Sequence, residues 1–242
     1  MNATITPISD LGAVPPIRGF LHEPAEPNGG AIALTHGAGA NCEVRLLVEV
    51  ADAFAGAGFA VLRFDLPFRT AHPHGPPRPG DAAKDREGLR RAVALLQERQ
   101  RAHSKTAAKR NAPPRVFLSG HSYGGRQATM LAAEAAAAGS PLVDGLLLLS
   151  YPLHPPRKPE QLRTAHFPKL DAPALFVHGT RDPFGTIAEM NAALKLIPAR
   201  HALFEVEGPG HDLLGKKPGS DLPARIVGEF RRFFSDSTHA AT

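Results

Sequence analysis

The chain has 242 residues, of which 43% are hydrophobic and 21% charged. These values fit one soluble globular domain spanning 1–242, a length at which α/β folds commonly stay undivided. No run of about 18 uninterrupted apolar residues occurs, so no membrane span is expected. The first 16 residues lack a basic segment followed by an apolar core, which argues against a secretory signal and makes a cytoplasmic protein the default expectation.

The only cysteine, Cys42, excludes an internal disulfide and a multi-cysteine metal site. A reactive thiol would need a basic partner that the sequence does not identify, so a packed residue is the better interpretation. The formal net charge is +5, and much of the excess lies in one segment without interleaved aromatic residues or a nucleic-acid-binding motif. We interpret that segment as a solvated helix end and loop. Its basic residues are Arg99, Arg101, Lys105, Lys109, Arg110 and Arg115.

Apolar runs rich in β-formers alternate with helical patterns along the chain, an order that predicts a mostly parallel sheet with helices on both faces. Several runs are continuously apolar, as expected for strands that are covered on both sides. The predicted strands are Ile17–Leu21, Ala31–Thr35, Ala60–Phe64, Val116–Ser119, Leu146–Ser150, Leu175–His178 and Ala202–Val206.

Apolar residues at helical spacing predict helices between and after these strands. The alanine-rich helix stops at Gly139, just before a proline, which is the usual order at a helix C-terminus. Residues 1–16 and 235–242 are expected to be peripheral or flexible. The predicted helices lie around Leu46–Phe54, Leu89–Leu96, Gly124–Ala138 and Ile226–Phe233.

Two proline-rich segments, Pro67–Pro79 and Pro152–Pro168, each follow a strand and are too short to form a second domain. Both should lie at the carboxyl edge of the sheet, where open α/β folds place their ligands. We therefore expect them to form the walls of a shallow pocket without a large lid.

The strand RVFLSG runs into Gly120-His121-Ser122-Tyr123-Gly124 and then into a helix, which is the context that gives G-x-S-x-G its meaning. The serine must sit on a strained turn, so the residues two positions away on either side must be small. The helix N-terminus also places partial positive charge near a developing oxyanion. Ser122 is therefore the predicted nucleophile, and His121 is interpreted as a packing residue.

A serine hydroxyl needs a base, and the base needs a carboxylate that fixes its tautomer. In folds with this serine turn the chain order is serine, acid, histidine, with both partners on loops after later strands. Asp182 follows the strand ALFVHG and His211 follows ALFEVEG, so they are the predicted acid and base. Asp144 precedes its strand, and Asp212 adjoins the histidine itself, so both are poorer candidates.

The loop His36-Gly37-Ala38-Gly39-Ala40 follows the second predicted strand and is the candidate oxyanion loop. One oxyanion donor should be the N–H after the nucleophile, that of Tyr123, and the other the N–H of Ala38. Gly37 and Gly39 shape the turn and let a substrate approach the backbone. His36 is interpreted as structural. A phosphate loop is excluded because the GK[ST] ending is absent.

Further candidates for substrate binding come from arginine and histidine residues near the predicted pocket. Arg69 and Arg126 could recognise an anion, because arginine suits carboxylates, or they could form structural salt bridges. His154 and His166 could line the pocket, or they could be ordinary loop histidines.

The motifs HGAGA, FDLPFR, GHSYGGR, HGTRDPFG and GPGHD together resemble bacterial α/β hydrolases related to the testis-expressed hydrolase-like family, near the dienelactone-hydrolase-like enzymes. The resemblance extends from about Gly19 to Phe234. It implies an α/β-hydrolase fold, a compact hydrolase without a large lid, and the triad Ser122, Asp182 and His211. Dienelactone hydrolases proper use a cysteine nucleophile, whereas this chain has a serine.

The sequence thus predicts a serine hydrolase that cleaves an ester or related acyl bond of a small molecule through a covalent acyl-enzyme. No metal, organic cofactor, nucleic acid or membrane partner is expected. The alternative is a non-catalytic interaction protein on the same fold, because a fold does not fix a function. The complete set of serine, acid, base and small-residue loop favours the enzyme.

Overall fold

A computed structural model describes residues 3–10, 12, 14–106, 114–215 and 219–235, with the side chains of the longest helix described up to residue 102. Lys109, Arg110 and the predicted tail beyond residue 235 lie outside the described residues, as does the side chain of Lys105. No helix in the described ranges combines the length and apolar character needed to cross a membrane.

Within the described ranges the sheet has eight strands, numbered in chain order and arranged as β1-β2-β4-β3-β5-β6-β7-β8. Strands β3 to β8 pair in parallel, whereas β2 is antiparallel to β4 and β1 is antiparallel to β2. The mostly parallel sheet predicted from the sequence is therefore present, with an antiparallel pair at one end. The strands are β1 (Thr4–Asp10), β2 (Ile17–Glu23), β3 (Gly30–Thr35), β4 (Ala60–Phe64), β5 (Arg115–His121), β6 (Gly145–Leu149), β7 (Ala174–Gly179) and β8 (His201–Val206).

Helices cover both faces of the sheet and enclose two apolar cores. One core joins the sheet to α3, α4 and α5, through residues such as Leu89, Leu131 and Met190. The other joins it to α1 and α6, where Phe54 and Phe230 pack edge to face with ring centroids 5.0 Å apart. The helices are α1 (Arg45–Gly56), α2 (Pro67–Ala71), α3 (Asp81–Thr106), α4 (Tyr123–Ala137), α5 (Ile187–Leu194) and α6 (Leu222–Ser235), with a short 3₁₀ turn at Phe167–Lys169.

Four features differ from the elements predicted from the sequence. Thr4–Asp10, within the expected flexible end, forms the edge strand β1, where a proline such as Pro7 is tolerated. The proline-rich Pro67–Pro79 begins with α2, which has Pro67 in its first turn. The helix predicted around Leu89–Leu96 is the centre of the 26-residue α3, and α5 was not predicted at all.

Candidate active site

Ser122 sits on a strained turn between β5 and α4. Its φ of 51° lies in the left-handed region, which is costly for a residue with a side chain. A Cβ on Gly120 would lie 2.5 Å from the carbonyl carbon of Gly124, and one on Gly124 would lie 2.5 Å from the His36 carbonyl oxygen. Both flanking positions of the motif therefore require glycine, as the sequence argument expected.

Ser122, His211 and Asp182 lie in one hydrogen-bonded chain. The Nε2 of His211 is 2.7 Å from Ser122 Oγ, and its Nδ1 is 2.8 Å from Asp182 Oδ2. Because the carboxylate is an acceptor, the ring carries its proton on Nδ1 and leaves Nε2 free to accept the serine proton. The structure thus brings together the three residues that the sequence predicted as nucleophile, base and acid.

The loop that carries Asp182 fixes both its carboxylate and the histidine ring. Asp182 is 5% exposed, and its Oδ1 accepts a hydrogen bond from the Phe184 N–H at 2.9 Å. The Phe184 ring stacks on the His211 ring with centroids 4.2 Å apart and planes at 31°. Asp144, the poorer candidate acid, lies at the opposite edge of the sheet and accepts from the Val116 N–H at the start of β5.

The candidate oxyanion loop passes directly beside the serine, since a Cβ on Gly37 would lie 3.2 Å from Ser122 Cβ. The Gly37 carbonyl is held by the Ala40 N–H at 3.1 Å and by His36 Nδ1 at 2.8 Å. In a trans peptide the N–H points opposite to the C=O, so these donors fix the direction of the Ala38 N–H. The other predicted donor, the Tyr123 N–H, belongs to the first turn of α4, where N–H groups have no intrahelical acceptor.

His36 acts as a structural residue in this loop, in agreement with the sequence interpretation. The Leu66 N–H donates to His36 Nε2 at 3.1 Å, so the ring proton is on Nδ1 and points at the Gly37 carbonyl. Burial lowers the pKa of His36, which keeps the ring in this neutral tautomer.

Of the two roles considered for Arg69, anion recognition and structural bonding, the contacts favour the structural one, although its partners are carbonyls and not the carboxylates of a salt bridge. It is 6% exposed and donates to four backbone carbonyls in two loops. Four of the five guanidinium N–H groups are used in these bonds, so the side chain joins the oxyanion loop to the segment after α2. The acceptors are Ala38 O at 2.9 Å, Ala40 O at 2.7 Å, His72 O at 3.0 Å and Gly75 O at 2.9 Å.

His154, for which pocket lining and an ordinary loop position were both open, is engaged within the protein. The side chain is buried, with Nδ1 2.8 Å from the Pro155 carbonyl and Nε2 3.4 Å from Glu189 Oε2. The second of the two proline-rich segments lines a groove beside α4. The groove begins at Arg126 of that helix. The first segment instead contributes Arg69 to the support of the oxyanion loop.

Two residues near the serine have roles that the sequence reasoning missed. The His121 ring donates from Nε2 to the His211 carbonyl at 2.8 Å, so it does more than pack. Asp85 on α3 accepts from the Tyr123 hydroxyl at 2.7 Å and from the Phe68 N–H at 3.0 Å. Both contacts join segments that are distant in sequence, and no local motif signals them.

Cys42 is 1% exposed, and burial raises the pKa of its thiol to about 12, in keeping with a packed residue. Within the described ranges, no group of three or more His, Cys, Asp or Glu side chains is placed to hold a metal ion.

Comparisons with solved structures find the same architecture over nearly the whole chain. A dienelactone hydrolase from Anabaena variabilis is 20% identical, with a TM-score of 0.68 over 98% of this chain and 99% of that one. Est1E from Butyrivibrio proteoclasticus is 17% identical, with a TM-score of 0.65 over 98% and 100%. An α/β serine hydrolase without a lid from Xanthomonas campestris is 18% identical, with a TM-score of 0.62 over 94% of each chain.

These likenesses confirm the predicted α/β-hydrolase fold without a large lid. A sequence model described as the alpha/beta hydrolase domain (Abhydrolase_11) matches residues 28–225, which include the serine turn and the loops that carry Asp182 and His211. The match covers well over half of the chain. The chain therefore belongs to the alpha/beta hydrolase family.

Proposed function

We propose that this hydrolase is a serine enzyme that cleaves an ester or related acyl bond of a small molecule. The observation that carries the proposal is the chain Ser122 Oγ to His211 Nε2 to His211 Nδ1 to Asp182 Oδ2, with distances of 2.7 and 2.8 Å across its two hydrogen bonds. A scaffold protein would have no physical need for a neutral imidazole held between a strained serine and a buried carboxylate.

In the first half-reaction Ser122 Oγ attacks the acyl carbon while His211 Nε2 takes the hydroxyl proton. The charge that develops on the carbonyl oxygen is stabilised by the N–H groups of Ala38 and Tyr123. The tetrahedral intermediate collapses, the bond to the leaving alcohol breaks, and His211 returns the proton to that oxygen. Asp182 stabilises the imidazolium without taking up the proton itself.

In the second half-reaction water attacks the acyl-serine, with His211 now accepting the proton of the water. The acid leaves and the proton returns to Ser122 Oγ. Because the fold has no large lid to enclose a long chain, the site suits small or flexible acyl groups. A series of p-nitrophenyl esters from acetate to palmitate should accordingly favour the short chains.

The direct test uses a fluorophosphonate probe, because only an activated serine beside an oxyanion hole attacks the phosphorus at a useful rate. Native protein should gain one adduct, located at Ser122 by peptide mapping. Labelling should disappear on heat denaturation and in the Ser122→Ala and His211→Ala variants. The exposed Ser140 provides the matched control, and Ser140→Ala should label like the native protein.

Adduct formation at a residue other than Ser122 would contradict the assignment of the nucleophile. Well-folded protein that resists several such probes and hydrolyses no small acyl ester would instead favour the non-catalytic alternative.

Asp182→Asn should retain more activity than Ser122→Ala, unless the amide imposes the wrong ring tautomer.

A further inference from the structure

A groove of about 410 Å³ runs between α4 and the segment 162–169. Its volume falls in the range of small-molecule sites. Helix α4 contributes Arg126, Met130 and Glu134, and the facing segment contributes Leu162 and Arg163, with His166 also on this side. It is thus a concave site with both charged and apolar walls.

The positive charge at this groove is not compensated by carboxylates within it. The Nε of Arg126 is buried and has no hydrogen-bond partner among the described residues, and the side chain forms no ion pair with any of them. The Arg163 guanidinium donates to one carbonyl among the described residues, that of Pro152 at 3.3 Å. Glu134, the one acidic side chain of the lining, is bound to Arg86 at 2.9 Å.

The positive charge of the two guanidinium groups affects the pKa values of neighbouring groups. Burial and the charge of Arg126 lower the pKa of Arg163 and lower that of His166 to about 4. His166 is therefore neutral, and its Nε2 donates to Thr129 Oγ1 at 2.8 Å, since that hydroxyl already donates to the Arg126 carbonyl. A partly buried cation without an anionic partner is costly, and an anion bound by Arg126 and Arg163 would lower that cost.

Apart from Lys169, a third cation, the remaining lining of the groove is apolar. Met130 is half-buried, and Leu162 is 52% exposed, an unusual exposure for a large aliphatic side chain in this protein. An amphipathic ligand would therefore fit the groove better than an inorganic anion, with its charged group at the arginines and its hydrocarbon part against Met130 and Leu162.

The groove lining begins at Arg126, four residues after the reactive serine. Arg126 lies one helical turn, about 5 Å, beyond Ser122 along α4, and its N–H donates to the Ser122 carbonyl at 3.0 Å. The facing segment follows β6, whose last residue, Leu149, accepts the Ser122 N–H at 2.9 Å. A flexible acyl chain of several carbons spans a separation of one helical turn, so its distal carboxylate would reach the arginines while its carbonyl group is at Ser122.

We propose that this groove binds a carboxylate group carried by the acyl substrate, with Arg126 and Arg163 as its ligands, so that the enzyme prefers esters of dicarboxylic or similarly anionic acids. The inference rests on the proposed serine-hydrolase function. Arg126 and Arg163 set the specificity, and the reacting groups remain Ser122, His211 and Asp182.

The kinetic test compares p-nitrophenyl monoesters of adipic and suberic acid with the same esters in which the free carboxylate is a neutral primary amide. Native enzyme should favour the carboxylate form at least about tenfold in kcat/KM, because bidentate binding of a carboxylate by arginine is strong. Arg126→Gln should bring this ratio close to one, chiefly by raising KM for the carboxylate ester. Arg126→Lys should retain part of the preference, and Arg163→Gln should reduce it.

Arg101→Gln is the matched control, because it removes the same charge from an exposed position on α3 and should preserve the ratio. A second readout does not need turnover. Monomethyl suberate titrated calorimetrically into the Ser122→Ala protein should bind, and addition of Arg126→Gln should weaken binding at least about tenfold. Thermal unfolding of each variant verifies that the fold is retained.

The outcomes separate this inference from the proposed function. In one outcome the probe labels Ser122, the kcat/KM ratio is near one, and binding of monomethyl suberate does not depend on Arg126. That outcome overturns the groove assignment and retains the proposed hydrolase function. Absence of labelling together with suberate binding that depends on Arg126 overturns the hydrolase and supports the groove as an anion site.

Discussion

The side chain of His121 donates a hydrogen bond from Nε2 to the main-chain carbonyl of His211, 2.8 Å away. The residue before the serine thereby holds the loop that carries the neighbouring imidazole. Burial is the main cause that lowers the pKa of His121 to about 4, so the ring is neutral near pH 7 and its donor stays in place. The contact fixes the distance between the serine turn and the histidine loop.

Replacement of His121 by alanine should slow fluorophosphonate labelling of Ser122 by about tenfold, the equivalent of one lost hydrogen bond in the transition state. His121→Gln, which can donate from its side-chain amide at a similar distance, should recover most of the rate. The pseudo-first-order labelling rate is the measurement, with circular dichroism as the check on folding. Equal rates in the alanine variant and the native protein would show that the contact does not position His211.

Arg69 should prove to be a positioning residue for the oxyanion loop. Arg69→Lys places one ammonium where a planar guanidinium now bonds four carbonyls, including Ala38 O and Ala40 O. We expect kcat for a small ester to fall about tenfold or more, with KM little changed, because only the transition state uses the Ala38 N–H.

The same Arg69→Lys change should also lower the free energy of unfolding by about 1–3 kcal/mol, since buried carbonyls lose their donors. Steady-state kinetics measures kcat and KM, and urea denaturation measures the free energy of unfolding. A rise in KM that is confined to anionic substrates, with kcat unchanged, would instead support the alternative in which Arg69 binds an anion.

The Tyr123 hydroxyl and Asp85 should matter for stability more than for chemistry. Burial raises the pKa of Asp85, and its carboxyl is hydrogen-bonded to Tyr123 Oη at 2.7 Å and to the Phe68 N–H at 3.0 Å. Tyr123→Phe removes one donor and should cost about 1–3 kcal/mol in unfolding free energy. The Tyr123 backbone N–H survives this change, so labelling of Ser122 should stay within a few-fold of the native rate.

A double-mutant cycle with Asp85→Asn separates the pair from its surroundings. A coupling energy near zero between Tyr123→Phe and Asp85→Asn would contradict the hydrogen bond as a source of stability. Loss of labelling in Tyr123→Phe despite a native fold would place the hydroxyl itself in the reaction.

The sequence was sufficient to predict that Ser122, Asp182 and His211 meet, because each lies at or in the loop after the carboxyl end of a strand of the parallel sheet. The chain order of these strands then determines which side chains meet at the carboxyl edge. Asp144 could be rejected for the same reason, since it precedes β6 and its carboxylate bonds the Val116 N–H at the other edge.

Arg69, His121 and Asp85 could not be assigned in this way, because their partners are backbone or side-chain groups on loops brought together only by folding.

Helix α5 is a different case. Thr186 and Glu189 form a complete capping box, with the Glu189 N–H 3.2 Å from Thr186 Oγ1 and the Thr186 N–H 2.8 Å from Glu189 Oε2. The T-x-x-E pattern was present in the sequence and would have revealed this helix.

Stability should fall as the pH is lowered from about 6.5 towards 4, because several histidines are held neutral by burial. In the unfolded chain a histidine has a pKa of about 6.5, so below that value the unfolded state binds more protons than the folded one. Each such residue then adds up to about 1.4 kcal/mol per pH unit to the loss, until its folded pKa is reached. The histidines with a lowered pKa are His22, His36, His121, His166 and His178.

Asp85 acts in the opposite direction, because its raised pKa lets the folded state bind a proton at higher pH than the unfolded state does, but it is one group against five. Urea denaturation at pH 7, 6 and 5 should therefore give a steadily decreasing free energy of unfolding. His166, whose pKa is lowered to about 4, is the best single test. His166→Gln should reduce the slope of unfolding free energy against pH by up to the contribution of one proton, about 1.4 kcal/mol per pH unit. Replacement of the exposed His74 by glutamine is the matched control. A native protein equally stable at pH 7 and pH 5 would exclude burial of neutral histidines as the source of acid sensitivity.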